Sequence, residues 1–261
     1  MTPNPQTPPT PPTSVTARAL SVLGAFSAVT PRLTLSQISR ATGLPVATVF
    51  RLAGELVEGG FLQKDVAGGF SLGVRMWEMG LLTPVHGRLR EIAMPFLLNL
   101  QYTTRETVQL AICDGIDAVY VEKLTSETSV PIQSRIGARI PMHATAVGLA
   151  LLAYSDAALI DQIAGSELIA YTEHTITSKR ALLRELSDIR ERGFSLSTEE
   201  YIAGATGVAA PVFVNGKLEA AIGLVDYNSR EGWDEVIPAL FDAAKGFGKR
   251  LEEVSQTDLS V

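Results

Sequence analysis

Apolar residues first recur at helical spacing in Val15, Ala19, Val22, Leu23 and Phe26, which places them on one face of an amphipathic helix. The pattern stops before Thr30-Pro31. Thr34 then predicts the N-cap of a second helix, because Gln37 three residues later completes a capping box. Leu35, Ile38 and Ala41 form the expected buried face of that helix. Gly43 ends it at a position that tolerates positive φ, and Pro45 opens a third helix as its first residue, where a missing N–H removes no hydrogen bond. The third helix is expected to bury Val46, Val49, Leu52, Ala53 and Leu56 and to turn Ala47, Thr48, Arg51 and Glu55 outward. Beyond Gly59-Gly60, the stretches Phe61 to Asp65 and Phe70 to Leu72 read as two strands around the turn Val66-Ala-Gly-Gly69. Three helices and a hairpin in this order predict a winged helix-turn-helix. The small outward residues of its third helix would permit close approach to a partner.

The pattern changes further along. Gly73 to Leu82 predicts a short linker helix interrupted at Pro84, and Arg88 to Tyr102 a longer helix. Thr107 to Cys113 and Ala118 to Glu122 read as strands joined at Asp114-Gly-Ile-Asp117, with a further strand expected over Val130 to Ser134. Ala144 to Tyr154 is an apolar helix, and Lys179 to Arg192 an amphipathic one ended by Gly193. Phe194 to Ser197, Gly207 to Val214 and Leu218 to Val225 read as strands, the last two joined at Asn215-Gly216. Trp233 to Val254 closes the chain as a helix. The expected architecture is α+β. It divides into a Pro/Thr-rich tail over 1–13, a DNA-binding head over 14–73, linker helices over 74–104 and a sheet-containing domain over 105–256. With six prolines and four threonines, residues 1 to 13 lack the apolar content for a core and are expected to be disordered.

Composition narrows the function. The 261 residues carry a net charge of -6, which argues against a wholly basic nucleic-acid protein. The charge is uneven, however. From Ser14 to Trp77 six basic residues stand against three acidic ones, a balance of +3 that leaves -9 for the rest. A basic head on an acidic body implies that the head alone meets a polyanion. No apolar run has the length of a membrane span, and a single cysteine excludes an internal disulfide, so a cytoplasmic location without membrane association is expected.

Candidate chemistry concentrates on the head. An arginine donating two hydrogen bonds to guanine is the commonest specific base contact, and Arg51 is the candidate; the bland reading is a phosphate contact or an ion pair with Glu55 at i+4. Pro45, Ala47, Thr48 and Phe50, at the start of the same helix, are further candidates for DNA contact. Ser36 and Gln37 are placed to contact phosphates, as are Lys64 and Gly68 on the wing. Catalytic constellations do not emerge. His86, His143 and His174 lack metal-ligand spacing, Cys113 reads as a buried thiol, and Glu199-Glu200 as structural at a pocket rim. No phosphate-binding loop, dinucleotide fingerprint or nucleophile elbow is present, so neither metal nor cofactor is expected.

Several stretches together resemble the IclR family of bacterial transcription regulators. In the head these are Leu33-Thr-Leu-Ser-Gln-Ile-Ser-Arg-Ala-Thr-Gly-Leu-Pro45, Thr48-Val-Phe-Arg-Leu52, Glu58-Gly-Gly-Phe-Leu62 and Phe70-Ser-Leu-Gly73. In the body they are Glu106-Thr-Val108, Val119-Tyr-Val-Glu122, Ser134-Arg-Ile-Gly137, Pro141-Met-His143, Arg190-Glu-Arg-Gly-Phe194, Glu199-Glu-Tyr201 and Ala209-Ala-Pro-Val212. The resemblance implies a winged helix-turn-helix joined by a linker helix to a GAF-like effector-binding domain, and a homodimer or homotetramer on double-stranded operator DNA. It places an effector pocket between the sheet and the Ala144 helix, at Ala146, Val147, Ser197, Gly207, Gly223 and Val225, with Ile132 and Ser134 beside them. The chain departs from the family pattern at Leu149, near Thr206, and at Gly223-Leu-Val-Asp226, where Ser-x-Ser-Gly is usual. The last change removes hydroxyls and adds space, which points to a ring-sized organic effector rather than a small oxo-acid. The alternative is that Met142, Ile132 or Ile222 fill the glycine gaps and leave no pocket. A small-molecule-binding protein or enzyme with an incidental helix-turn-helix head is the competing function.

Overall fold

The computed structural model describes residues 14–83, 89–125, 135–227 and 232–258, with side chains to residue 256. The tail over 1–13, Pro84, His86, and the strand expected over Val130 to Ser134 with its candidates Ile132 and Ser134 lie outside the described residues. The chain folds as two compact units divided between Thr83 and Pro84.

The first unit contains α1 (Val15–Gly24), β1 (Arg32–Leu33), α2 (Leu35–Thr42), α3 (Val46–Glu58), β2 (Leu62–Lys64), β3 (Phe70–Leu72) and α4 (Val74–Leu81). Local chemistry sets its boundaries. Thr34 and Gln37 form the expected capping box: the Gln37 N–H donates to the Thr34 hydroxyl, and the Thr34 N–H to Gln37 Oε1 at 2.8 Å. Gly43 ends α2 at φ 68°, where a side chain would be strained. The turn is held by the Ser39 hydroxyl, which donates to the Leu44 carbonyl at 2.6 Å, and by burial of Leu44.

Three details correct the sequence reading of the head. Pro45 is the N-cap of α3 rather than its first residue: its ψ of 142° is extended, as a chain turning into a helix requires. Val46 then falls at the exposed start of the helix, 48% accessible, and Ala41 is also exposed, so neither belongs to the core. The wing has a third strand, because β1 pairs antiparallel with β3, which also pairs with β2. Val22, Ile38, Val49, Leu52, Leu62 and Phe70 lie at the centre of the core of this unit.

The second unit contains α5 (Glu91–Thr104), β4 (Thr107–Asp114), β5 (Asp117–Leu124), β6 (Arg139–Pro141), α6 (Ala146–Ala153), α7 (Ala157–Ala164), α8 (Lys179–Arg192), β7 (Ser195–Thr198), β8 (Thr206–Val214), β9 (Lys217–Asp226) and α9 (Ile237–Asp258), the last preceded by a 3-10 turn at Trp233–Glu235. The strands form one antiparallel sheet in the order β6-β5-β4-β9-β8-β7. β6 and α7 are additions to the sequence reading: three residues carry no periodicity, and α7 follows α6 after a break of only three residues, Tyr154-Ser-Asp156. The helix α5, read from the sequence as part of a linker over 74–104, packs against β4 and α9 within this unit.

Alternation along the strands gives the sheet two different faces. Val108, Leu110, Val208, Val212, Ile222 and Leu224 pack with α5 and α9. Ala111, Ala118, Ala209 and Ala221 pack with α6 and α8. The alanines keep that face low and let α6 lie close to it. All eight residues of α6 are buried, which explains why its sequence is apolar on every side. Among the described residues no helix is long and apolar enough to cross a membrane.

Candidate DNA-binding surface and effector pocket

The exposed side of α3 carries Ala47, Phe50, Arg51 and Gly54, while Val49, Leu52 and Ala53 anchor the helix from behind. Phe50 is 61% exposed, a large apolar ring without a core role. Arg51 Nη1 donates to Glu55 Oε1 at 2.6 Å, so the ion pair expected at i+4 forms. Thr48 is half-buried beside them. Ser36 and Gln37 are exposed at the start of α2, though Gln37 engages Thr34 through Oε1 and offers only its amide nitrogen outward. On the wing, Lys64 is exposed with its ammonium 5.8 Å from the Phe70 ring centroid, and Gly68 adopts φ 81°. The wing tip is built around Asp65, whose carboxylate accepts the N–H groups of Ala67 and Gly69 and pairs with Arg32 at 2.5 Å.

The second unit holds a cavity of about 430 Å³ between the sheet and the start of α6. Ala146, Val147, Ser197, Gly207, Gly223 and Val225 all line it. Strand register brings them together: Gly207 lies opposite Val225 and Ser197, and Gly223 opposite Gln109. Thr145 caps α6 by accepting the Gly148 N–H and donates to the Pro141 carbonyl. The N–H groups of Ala146 and Val147 precede any intrahelical acceptor and belong to the positive end of the helix dipole.

Gly223 has a different use from the one expected. A Cβ there would lie 2.6 Å from Val147 Cγ1, so this glycine admits the first turn of α6 against the sheet, and the space for a ligand lies alongside. A Cβ on Gly207 would crowd the neighbouring strand instead, 3.0 Å from the Leu224 carbonyl oxygen and from Val225 Cγ2. The hydroxyls expected to be missing from the strand side around Gly223 to Asp226 are supplied from other positions. Four tyrosines, Tyr120, Tyr171, Tyr201 and Tyr227, line it with Gln109 and Thr206. Burial pushes the Tyr120 phenol far above its ordinary value, helped by Tyr201 and Tyr227 and opposed by a hydrogen bond with Gln109. Burial also raises Tyr171 and Tyr227. These three phenols are therefore neutral near pH 7. Arg139 is the one charged side chain among the described residues lining the cavity, and it is paired with Asp114 and Asp117.

His143 is buried, with Nε2 3.1 Å from the Ile169 carbonyl oxygen and its ring against Tyr171. Burial raises the half-exposed Cys113 thiol, leaving it a poor nucleophile. Among the described residues no group of three His, Cys, Asp or Glu is placed to hold a metal ion.

Glu200 is pushed up to about 7, first by burial and then by Glu185, against a hydrogen bond from Ser197 and the Arg192 charge. Its buried Oε2 has no hydrogen-bond partner among the described residues. The folded-state value lies above the ordinary 4.5, so the stability contributed by the protonated carboxyl is complete below about pH 4.5 and is lost as pH rises through about 7. Glu200→Gln, which resembles the protonated form, is expected to leave the melting temperature unchanged at pH 4.5. At pH 8 it should stabilise by on the order of 1 kcal/mol, after discounting for partial exposure. Thermal melts at the two pH values check this, and equal shifts at both would contradict it.

Comparison with known proteins places this arrangement. Residues 84–247 match the family described as Bacterial transcriptional regulator IclR C-terminal, and residues 15–66 match the IclR helix-turn-helix domain. The chain belongs to the IclR family. It is 33% identical to the HTH-type transcriptional regulator XynR of Escherichia coli K12 over 216 residues, 82% of this chain and 86% of that protein. It is likewise 33% identical to KipR of Bacillus subtilis over 217 residues, again 82% of this chain and 86% of the relative. A solved IclR homolog from Microbacterium hydrocarbonoxydans, complexed with 4-hydroxybenzoate, is 30% identical with a TM-score of 0.86, the match covering 92% of this chain and 100% of that one. These IclR relatives are named as regulators rather than enzymes, and this chain is a DNA-binding transcriptional regulator.

The sequence reading missed the tyrosines. They come from β5, from two loops and from the residue after β9, so no spacing connects them. The signals were Tyr120 and Tyr201, which fall within the family stretches Val119-Tyr-Val-Glu122 and Glu199-Glu-Tyr201.

Proposed function

We propose that this regulator responds to a ring-sized organic effector, bound in the tyrosine-lined cavity, by changing its affinity for operator DNA upstream of catabolic genes. The observation that carries the reading is the cavity: about 430 Å³, within the range of small-molecule sites, with aromatic walls and neutral hydroxyls. The 4-hydroxybenzoate bound by the Microbacterium homolog supports a ring of that size. The effector's polar end meets the first N–H groups of α6 and its body fills the space among the tyrosines. In this reading residues 14–73 take the DNA, with α3 and the wing as the contacting elements, and 105–256 take the effector. A ligand changes DNA affinity only by binding the DNA-competent and incompetent states unequally.

A homodimer or homotetramer follows from recognition, since one helix covers too few base pairs for useful specificity. The exposed Val15, Leu20, Trp77 and Met79 offer apolar contact surface for it. Thermal-shift measurements test the effector reading: benzoate and 4-hydroxybenzoate are expected to stabilise the protein where glyoxylate and pyruvate do not. Stabilisation by the oxo-acids alone would refute it.

A further inference from the structure

The segment 169–175 is tied down more firmly than a connecting loop requires. Thr175 is only 7% exposed. Its hydroxyl oxygen accepts the N–H groups of Tyr171 at 3.0 Å and Thr172 at 2.9 Å, and the hydroxyl donates to the Glu200 carbonyl at 2.5 Å. The Thr172 hydroxyl donates to the Glu199 carbonyl at 2.6 Å. On the other side of Tyr171, the Ile169 carbonyl meets His143. The backbone around Tyr171 is thus fixed to the backbone just before Tyr201. The two rings meet edge to face, with centroids 4.9 Å apart and planes at 71°, and both line the cavity. Yet Tyr171 remains 41% exposed. An aromatic ring held in place by its backbone but left open is not there to fill a core.

We infer that Tyr171 and Tyr201, already in contact with each other, form an aromatic platform on the cavity wall that selects planar rings over saturated ones, and that Thr175 is the positioning residue that fixes how the two rings sit. The inference rests on the ring-effector reading and goes beyond it by assigning the selectivity to named residues. The chemistry is that of aromatic pairs. A planar π-system stacks on or meets the edge of a tyrosine ring through complementary quadrupoles. A cyclohexane ring is thicker and lacks the quadrupole. Two probes carrying the same substituents, 4-hydroxybenzoate and trans-4-hydroxycyclohexanecarboxylate, therefore isolate the contribution of the ring.

Isothermal titration of the full chain with both probes tests the platform. The wild type is expected to bind the aromatic acid roughly tenfold more tightly, the size of preference that ring contacts supply. Tyr171→Ala should reduce that ratio to near one, and Tyr171→Phe should keep it. Thr175→Val should lower the ratio and Thr175→Ser restore it, a rescue that a merely space-filling role for Thr175 would not show. Tyr171 is exposed, so its truncation leaves the core intact and keeps the test decisive even if Thr175→Val fails to fold. A wild-type ratio near one, or a ratio unchanged in Tyr171→Ala, overturns the platform while the ring-effector reading stands. Failure of the wild type to bind either ring overturns both.

Discussion

Gly223→Val is expected to abolish the stabilisation given by ring effectors and to lower the stability of the second unit by about 1–3 kcal/mol, the usual effect of forcing extra carbons into a packed site. Any Cβ at this position falls 2.6 Å from Val147 Cγ1 and 3.5 Å from Ala209 Cβ. Val147 is buried in the first turn of α6 and has little room to withdraw. The cheapest response is for the start of α6 to lift from the sheet, which displaces the N–H groups that would receive the effector's polar end. Gly223→Ala should do the same more weakly, because it lacks the two further methyls. Thermal melts with and without 4-hydroxybenzoate measure both effects. Full retention of ligand stabilisation in Gly223→Val would show that the seating of α6 on this glycine does not set the effector site. DNA binding by the head, which folds around its own core, should be preserved in the absence of ligand.

Arg51→Ala should weaken operator binding by roughly 1–3 kcal/mol and relax specificity at one base pair. Arg51 is exposed on the outer side of α3 and held by Glu55. That ion pair does not prevent a DNA contact. An exposed i,i+4 pair is worth about 0.3–0.5 kcal/mol, whereas a bidentate arginine on guanine is worth about 1–3 kcal/mol, so the base wins the exchange. Phe50 stands beside Arg51 and suits contact with a thymine methyl. Anisotropy titrations on operator and random DNA distinguish the roles: a loss confined to the operator marks base readout, and equal losses on both mark a phosphate contact.

How much of this was legible in the sequence depended on whether the determinants were local. The turn between α2 and α3 was readable because Thr34, Gln37 and Gly43 act within a few residues of themselves. The placement of Pro45 slipped by one position because a proline at the N-cap and one at the first helical position differ in ψ alone. β1 and β6 are too short for any period to show. The cavity was only partly legible. Family likeness led to the start of α6 and to Gly207 and Gly223, but the meaning of Gly223 depends on Val147 approaching from another element. The tyrosines converge through strand register and through the hydroxyl contacts of Thr172 and Thr175, which no linear pattern announces.

The most direct test of the account is fluorescence anisotropy of the full chain on DNA from immediately upstream of its own gene, at one fixed salt concentration, with and without a ring acid that stabilises the protein in thermal shift. The account predicts binding about a thousandfold tighter than to random DNA, and a change of at least about fivefold in that affinity when the acid is present. Affinity for that DNA equal to that for random sequence, or unmoved by every ring acid that stabilises the protein, would contradict it.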